Sequence, residues 1–208
     1  MGVPSSGASP SYILSEDCEG AGAPSGWTDA TFDETSGSID WDYATSPSPL
    51  VGSQSVYMTS NEMRYCYKVF GATNPCYIYF ICNLEDINTA GHSIIHIDDA
   101  SLNGLLIFRV DTATGYARVT DYGDESNHES TTTLTEGTTY HNWLEITASG
   151  TVNWFISANA TKPGSPAITF TQSNAASAGM IALSVEYSGD NHFDKIRVDD
   201  SVIGSNPE

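Results

Sequence analysis

Residues 13–28, "ILSEDCEGAGAPSGWT", gather Glu16, Asp17 and Glu19 around Cys18, just ahead of a Gly/Pro turn and Trp27. On an extended strand, alternation puts Leu14, Glu16 and Cys18 on one face and Asp17 and Glu19 on the other. Carboxylates that face one another repel unless one is protonated or a cation sits between them. Hard oxygen donors of this kind select Ca²⁺, with backbone carbonyls and water completing its shell. Simple solvation of an acidic surface explains the same charges, and both readings stand at this point. A second pattern lies in "TYHNWLEIT", residues 139–147, where His141, Trp143, Glu145 and Thr147 share one face and Tyr140, Asn142, Leu144 and Ile146 the other. A tryptophan between polar neighbours can stack on the apolar face of a sugar ring while they bond its hydroxyls. His141, Trp143 and Glu145 are therefore the candidate ligand-binding set, against the alternative of a Trp packed under a loop. Tyr65 with Tyr67, and Tyr77 with Tyr79, repeat the motif.

Catalytic signatures are missing. No G-x-S-x-G elbow and no His-Glu-x-x-His pair occurs among the five histidines. The oxygen-rich segments "DTATG" (111–115), "DYGDESN" (121–127) and "SGDN" (188–191) lack EF-hand spacing and read as polar turns. Four cysteines, Cys18, Cys66, Cys76 and Cys82, lack the C-x-x-C spacing of a zinc site. Cys76, Ile78, Phe80 and Cys82 share one strand face, as reduced cysteines in a core would.

The elements that must position these residues are strands. From Tyr12 onward, short runs rich in Ile, Val, Tyr, Phe, Trp and Thr alternate with Gly, Asn, Asp, Pro and Ser breaks, and no 3.6-residue period is sustained. About a dozen such runs predict an all-β, two-sheet antiparallel jelly-roll sandwich. Residues 1–11 read as a flexible or assembly-docking arm, 12–203 as a single sandwich domain and 204–208 as a tail. With 7 Lys+Arg against 26 Asp+Glu, the net charge of −19 opposes nucleic acid and anionic membrane surfaces. No apolar run is long enough to span a bilayer, and no export signal is visible at the start.

"SEDCEGAGAPSGWT" resembles the S-E-D-F-E-G…P-x-G-W opening of MAM-type and cleaved-adhesin jelly rolls, with Cys18 where that pattern has Phe. "IDWDYATSPSPLVGSQSVYM", "TYHNWLEITASGTVNWFIS" and "HFDKIRVDD" follow in the order those domains use. The resemblance implies a concanavalin A-like or galactose-binding-like sandwich in which first and last strands are neighbours. It thereby implies that Asp194 lies beside the first strand's carboxylates, giving Asp17, Glu19 and Asp194 as a candidate structural Ca²⁺ site. It implies a non-catalytic structural or adhesion module, foremost a phage virion decoration or tail component, with other protein subunits as partners and cell-surface glycan as a ligand. A free secreted carbohydrate-binding or adhesin module is the first alternative. A laminarinase-type glycoside hydrolase is the second, opposed by the absence of the E-x-D-x-x-E strand such enzymes carry. No enzyme is expected, and the location implied is a virion surface or the extracellular space.

Overall fold

The computed structural model describes residues 11–20, 22–31, 37–44, 49–60, 63–85, 87, 92–186, 189–205 and 207. Residues 1–10, most of the expected arm, lie outside them. In chain order the strands are β1 (Leu14–Glu16), β2 (Thr28–Thr31), β3 (Gly37–Tyr43), β4 (Ser55–Ser60), β5 (Met63–Val69), β6 (Cys76–Leu84), β7 (His92–Asp99) and β8 (Gly104–Val110). There follow β9 (Tyr116–Asp121), β10 (Asn127–Thr133), β11 (Thr139–Ile146), β12 (Thr151–Ser157), β13 (Ile168–Thr171), β14 (Ala178–Glu186) and β15 (Asp190–Asp199). A single 3-10 turn, η1 (Ser173–Ser177), interrupts them among the described residues. The first sheet runs β13-β12-β11-β6-β15-β4-β3 with β1 also on β15; the second runs β10-β9-β8-β7-β14-β5-β2. Every pairing is antiparallel. The expected two-sheet sandwich is what forms.

Alternation along each strand decides what fills the space between the sheets. Cys76, Ile78, Phe80, Cys82 and Leu84 of β6 face inward, as do Leu144 and Ile146 of β11 and Trp154 of β12. Phe108 of β8 meets Trp154 edge to face across the gap, with ring centres 5.2 Å apart. All four cysteines are buried and unbridged. Burial pushes the Cys76 and Cys82 thiols up to about 12, so they behave as small apolar side chains. Trp27 and Trp41 join this core, with ring centres 5.2 Å apart.

Two strands are more polar than the sequence pattern can reveal. β2 and β10 occupy the two edges of the second sheet. In β10, "NHESTTT", only Ser130 is fully buried, so no apolar alternation marks it. Polar edge strands protect a sheet from pairing with other chains, and without an apolar face such a segment carries no strand signal in the sequence.

Polar groups in the interior tie the sheets together. Asn191 of β15 accepts from His92 Nε2 at 2.6 Å through its Oδ1, and its Nδ2 donates to the Ser93 and Ser184 carbonyls of β7 and β14 at 3.1 and 2.6 Å. It is fully buried. Replacing it leaves several dry polar groups unpaired, each costing about 1–3 kcal/mol. Asn191→Ala is expected to lower the urea midpoint by an amount equivalent to roughly 2 kcal/mol or more with the m-value unchanged; an unaltered midpoint would show the bridge to be dispensable.

Candidate functional site

A sandwich has two outer faces, and here they differ. On the first sheet, Tyr79, Ile81, Trp143 and Phe155 form a second apolar cluster capped by Ile203, with Tyr12, Leu50 and Val51 packed against it. Trp143 is 1% exposed, and its Nε1 donates to the Gly204 carbonyl at 2.9 Å. The His141 ring bonds the Tyr79 hydroxyl at 2.7 Å through Nδ1, and Glu145 holds Lys162 at 2.5 Å. The expected ligand-binding set of His141, Trp143 and Glu145 is thus brought to one face, but with Trp143 buried and with His141 and Glu145 half-buried and bonded to Tyr79 and Lys162. The C-terminal segment occupies the ring face that a sugar would need, because a bare indole beside Tyr79 and Phe155 is better buried than hydrated.

The expected metal ligands are separated in the same way. β1 pairs with β15 as anticipated, Glu16 opposite Ile196. β15 carries a bulge after Asp194, with Lys195 at φ 50°. The bulge puts Asp194 and Arg197 on the same outer face, and it falls where β15 exchanges β4 for β1 as its neighbour. Arg197, 1% exposed, grips Asp17 and donates to the Glu16 carbonyl at 2.8 Å, while Lys195 reaches Asp17 at 3.2 Å. Burial works to raise the Asp17 carboxyl, but its hydrogen bonds to Arg197 and Lys195 outweigh this and hold it below the ordinary range. Asp17 is neutralised by Arg197 and Lys195 and is not gathered with Glu19 and Asp194 into a cluster of metal-ligating side chains.

Glu19 and Asp194 instead brace one loop. Asp194 accepts from the Val51 N–H at 2.9 Å and the Lys195 N–H at 2.7 Å; Glu19 accepts from the Ser53 N–H at 3.0 Å and its hydroxyl at 2.6 Å. Gly52, in the left-handed region at φ 68°, leaves the space that the Glu19 carboxylate fills. The Ser53 bonds hold Glu19 below the ordinary carboxylate range. Burial pushes Asp194 up to about 7, with two backbone N–H groups opposing and the Glu19 charge adding to the rise. Among the described residues, no three His, Cys, Asp or Glu side chains are gathered as a metal site.

The outer face of the second sheet remains open, and a groove of about 390 Å³ crosses it. Tyr67, Ala182, His96 and Ile107 lie side by side on β5, β14, β7 and β8. The small Ala182 makes a floor between flanking side chains, with Tyr65 and Tyr67 on one wall, Asp98 and Met180 toward one end, and Tyr122 and Leu102 at the rim. The Tyr65 and His96 rings lie nearly parallel, 6.4 Å apart between centres. His96 Nε2 and Asp98 Oδ1 are buried without a hydrogen-bond partner. Burial, with the Arg109 charge beside it, pushes His96 down to about 4, while burial raises Asp98. Such a site offers aromatic faces together with two polar atoms, His96 Nε2 and Asp98 Oδ1, that have no protein hydrogen-bond partner.

Tyr65 and Tyr67 are visible in the sequence as aromatic alternation around core Cys66. His96 and Asp98 follow the same rule around core Ile95 and Ile97, a signal that "IIHID" carries and that the acidic character of the segment hides. Tyr122 stands at a turn, where period two says nothing.

No family model matches the chain, and no curated protein matches it. Among solved structures it is similar to the cellulose-induced protein Cip1, at 15% identity over 93% of this chain and 100% of that one, with a TM-score of 0.73. It is similar to an endo-β-1,4-glucuronan lyase from the fungus Trichoderma reesei, at 11% identity over 92% and 96%, with a TM-score of 0.60. It is also similar to the carbohydrate-binding module CBM66 from Bacillus subtilis, at 14% identity over 84% and 95%, with a TM-score of 0.57. The likeness is one of fold, a two-sheet antiparallel jelly-roll sandwich. The MAM-type and adhesin resemblance gains nothing from these comparisons.

The buried histidines predict acid sensitivity. His192 on the first sheet is likewise pushed down by burial to about 4. Unfolded histidine takes up its proton near 6.5, so the unfolded state binds more protons between that value and 4, and stability rises with pH across the window. The contribution of these two histidines is expected to be full above pH 6.5 and to fall as pH drops toward 4, so His96→Gln should be less destabilised than the wild type by a shift from pH 6.5 to pH 4. Carbon-detected NMR titration giving a His96 midpoint near 6.5 would contradict this.

Proposed function

We propose that the protein is a non-catalytic glycan-binding module whose ligand lies in the groove across β5, β14 and β7. The observation that carries this is the pairing of the Tyr65 and Tyr67 rings with His96 Nε2 and Asp98 Oδ1, polar atoms that no protein group satisfies. Sugar rings present an apolar C–H face suited to tyrosine and hydroxyls suited to His and Asp. Proteins of like fold include a carbohydrate-binding module and a polysaccharide lyase, which supports a saccharide as the ligand class. Asp98 is the one carboxylate among the described residues lining the groove. Two-carboxylate hydrolysis needs a partner for it, which favours binding without hydrolysis. A glycan ligand is consistent with an extracellular or particle-surface location; membership of a virion has no support in the comparisons.

The test is affinity electrophoresis through gels carrying soluble polysaccharides, followed by calorimetry on the best ligand. Tyr67→Ala is expected to weaken binding at least tenfold, about 1.4 kcal/mol, with circular dichroism unchanged. Retardation by no polysaccharide would sink the reading, and release of reducing ends or of unsaturated, ultraviolet-absorbing products would replace it with a catalytic one.

Calcium enters as a second proposal, narrowed to Glu19 and Asp194. A buried carboxyl raised to about 7 beside a second carboxylate gains from a cation that loop carbonyls and water help to hold. Because the folded value lies above 3.8, the Asp194 contribution to stability is full below that pH and is lost as pH rises through 7. In EDTA, the wild type should lose stability relative to Asp194→Asn between pH 4 and pH 7, and Ca²⁺ should restore it in the wild type alone. Identical melting temperatures with Ca²⁺ and with EDTA at pH 7 would remove the metal.

A further inference from the structure

At one end of the sandwich, the β9–β10 turn approaches η1, and a cavity of about 230 Å³ opens between them. It is separate from the groove: Tyr122 lines the groove, whereas its neighbour Asp121, 1% exposed, lines the cavity. The turn is held by Asp121 Oδ1 accepting from the Gly123 N–H at 2.7 Å and Asp124 Oδ1 from the Ser126 N–H at 2.9 Å. The opposite wall is Gln172, which caps η1 by accepting from the Ala175 N–H at 2.8 Å. Its backbone N–H donates to the Gly150 carbonyl at 2.9 Å. Gly150, at φ 79°, is required there, since a Cβ would strike the Gln172 backbone. Stacking of His128 on Phe170, with centres 3.7 Å apart, joins the same edges of the two sheets. The wall is therefore built and fixed.

Within this frame one group is left over. Gln172 is 8% exposed, its Oε1 is committed to Ala175, and its Nε2 has no hydrogen-bond partner. A Cβ on Gly123 would sit 2.9 Å from that nitrogen, so the glycine keeps the space before it clear. A buried amide donor without an acceptor costs about 1–3 kcal/mol, and a ligand oxygen would relieve it. The chemistry of the walls selects the ligand. A cation is disfavoured because the unsatisfied atom is a donor. An anion is disfavoured by Asp121 and by Asp124, which the Ser126 bonds hold below the ordinary range and hence ionised. A neutral ligand whose hydroxyls donate to carboxylates and accept from the amide satisfies both. The volume lies below the roughly 300–1,000 Å³ of drug-sized pockets, so the ligand is small.

We propose that this cavity is a second binding site, for a neutral polyhydroxyl ligand of the size of one sugar residue, with Gln172 Nε2 donating to one hydroxyl oxygen and Asp121 and Asp124 accepting from others. The site does not depend on ligand binding in the groove.

Two-dimensional ¹H–¹⁵N NMR of the whole chain tests it, with D-glucose, D-galactose, D-xylose and glycerol as probes at millimolar concentrations. At least one probe is expected to shift the Gln172 side-chain amide and the Gly123 amide saturably. Gln172→Glu keeps the acceptor for Ala175 and removes the donor, so saturating the Gly123 shift should need at least tenfold more of the same probe, while Tyr67→Ala, which alters the groove alone, should leave the concentration dependence of the Gly123 shift as in the wild type. The proposal is overturned if no probe moves the Gln172 amide in the wild type, if Gln172→Glu binds equally well, or if CaCl₂ alone produces the saturable shift.

Discussion

The closing of the first sheet's outer face is the constraint on which the arrangement of function depends. Tyr79, Ile81, Trp143 and Phe155 point away from the main core, and a sheet with two apolar faces must be covered on both. Ile203 and the neighbouring backbone supply the cover, and the Trp143 Nε1 bond to the Gly204 carbonyl fixes where it lies. Burial of one large apolar side chain stabilises by about 1.5–3 kcal/mol, so the cluster outweighs any single surface contact. With that patch occupied by the chain itself, the groove lies on the second sheet and the cavity at one end of the sandwich.

The electrostatics follow the same division. A chain of net charge −19 with 7 Lys+Arg places its cations where carboxylates are crowded. Arg197 and Lys195 serve Asp17, Lys162 serves Glu145, and Arg118 serves Asp111 and Glu129. Exposed pairs contribute about 0–1 kcal/mol each. Arg197 differs because it is buried and also satisfies the Glu16 carbonyl; removing Asp17 would leave a buried charge without its carboxylate partner, the costly case. The β15 bulge makes this possible by turning Asp194 and Arg197 to one side, one toward the 50–53 loop and the other toward β1.

Much of the fold was legible in the sequence because inward-facing residues of central strands are apolar at every second position. Cys76, Ile78, Phe80 and Cys82 share the inward face of β6, as their alternation required, and β1 lies on β15 as the resemblance implied. The polar edges β2 and β10 were not legible, since an edge strand in contact with water needs no apolar face. For the site, period two correctly put His141, Trp143 and Glu145 together, and Tyr65 with Tyr67, yet alternation only assigns a side chain to a face. Whether that face meets water depends on residues 203–205, which follow β11 by more than fifty positions. Trp143 looked like a display residue for that reason, and Asp17 looked like a metal ligand because nothing local reveals Arg197 across the β1–β15 ladder.

The same reasoning explains why groove and cavity sit on either side of one turn. Asp121 ends β9 with its side chain toward the interior, and Tyr122 is the first residue past the strand, with its ring over Gly104. Gly104 has no Cβ, and one built there would lie 2.9 Å from the Tyr122 ring, so the tyrosine can lie flat at the groove rim. Gly123 makes the matching allowance for Gln172 on the other side. A three-residue stretch thus shapes both concavities through its glycine partners. Because loops carry sequence change more readily than strands, altering this turn would redraw both concavities while leaving the sheet pairing that supports them intact.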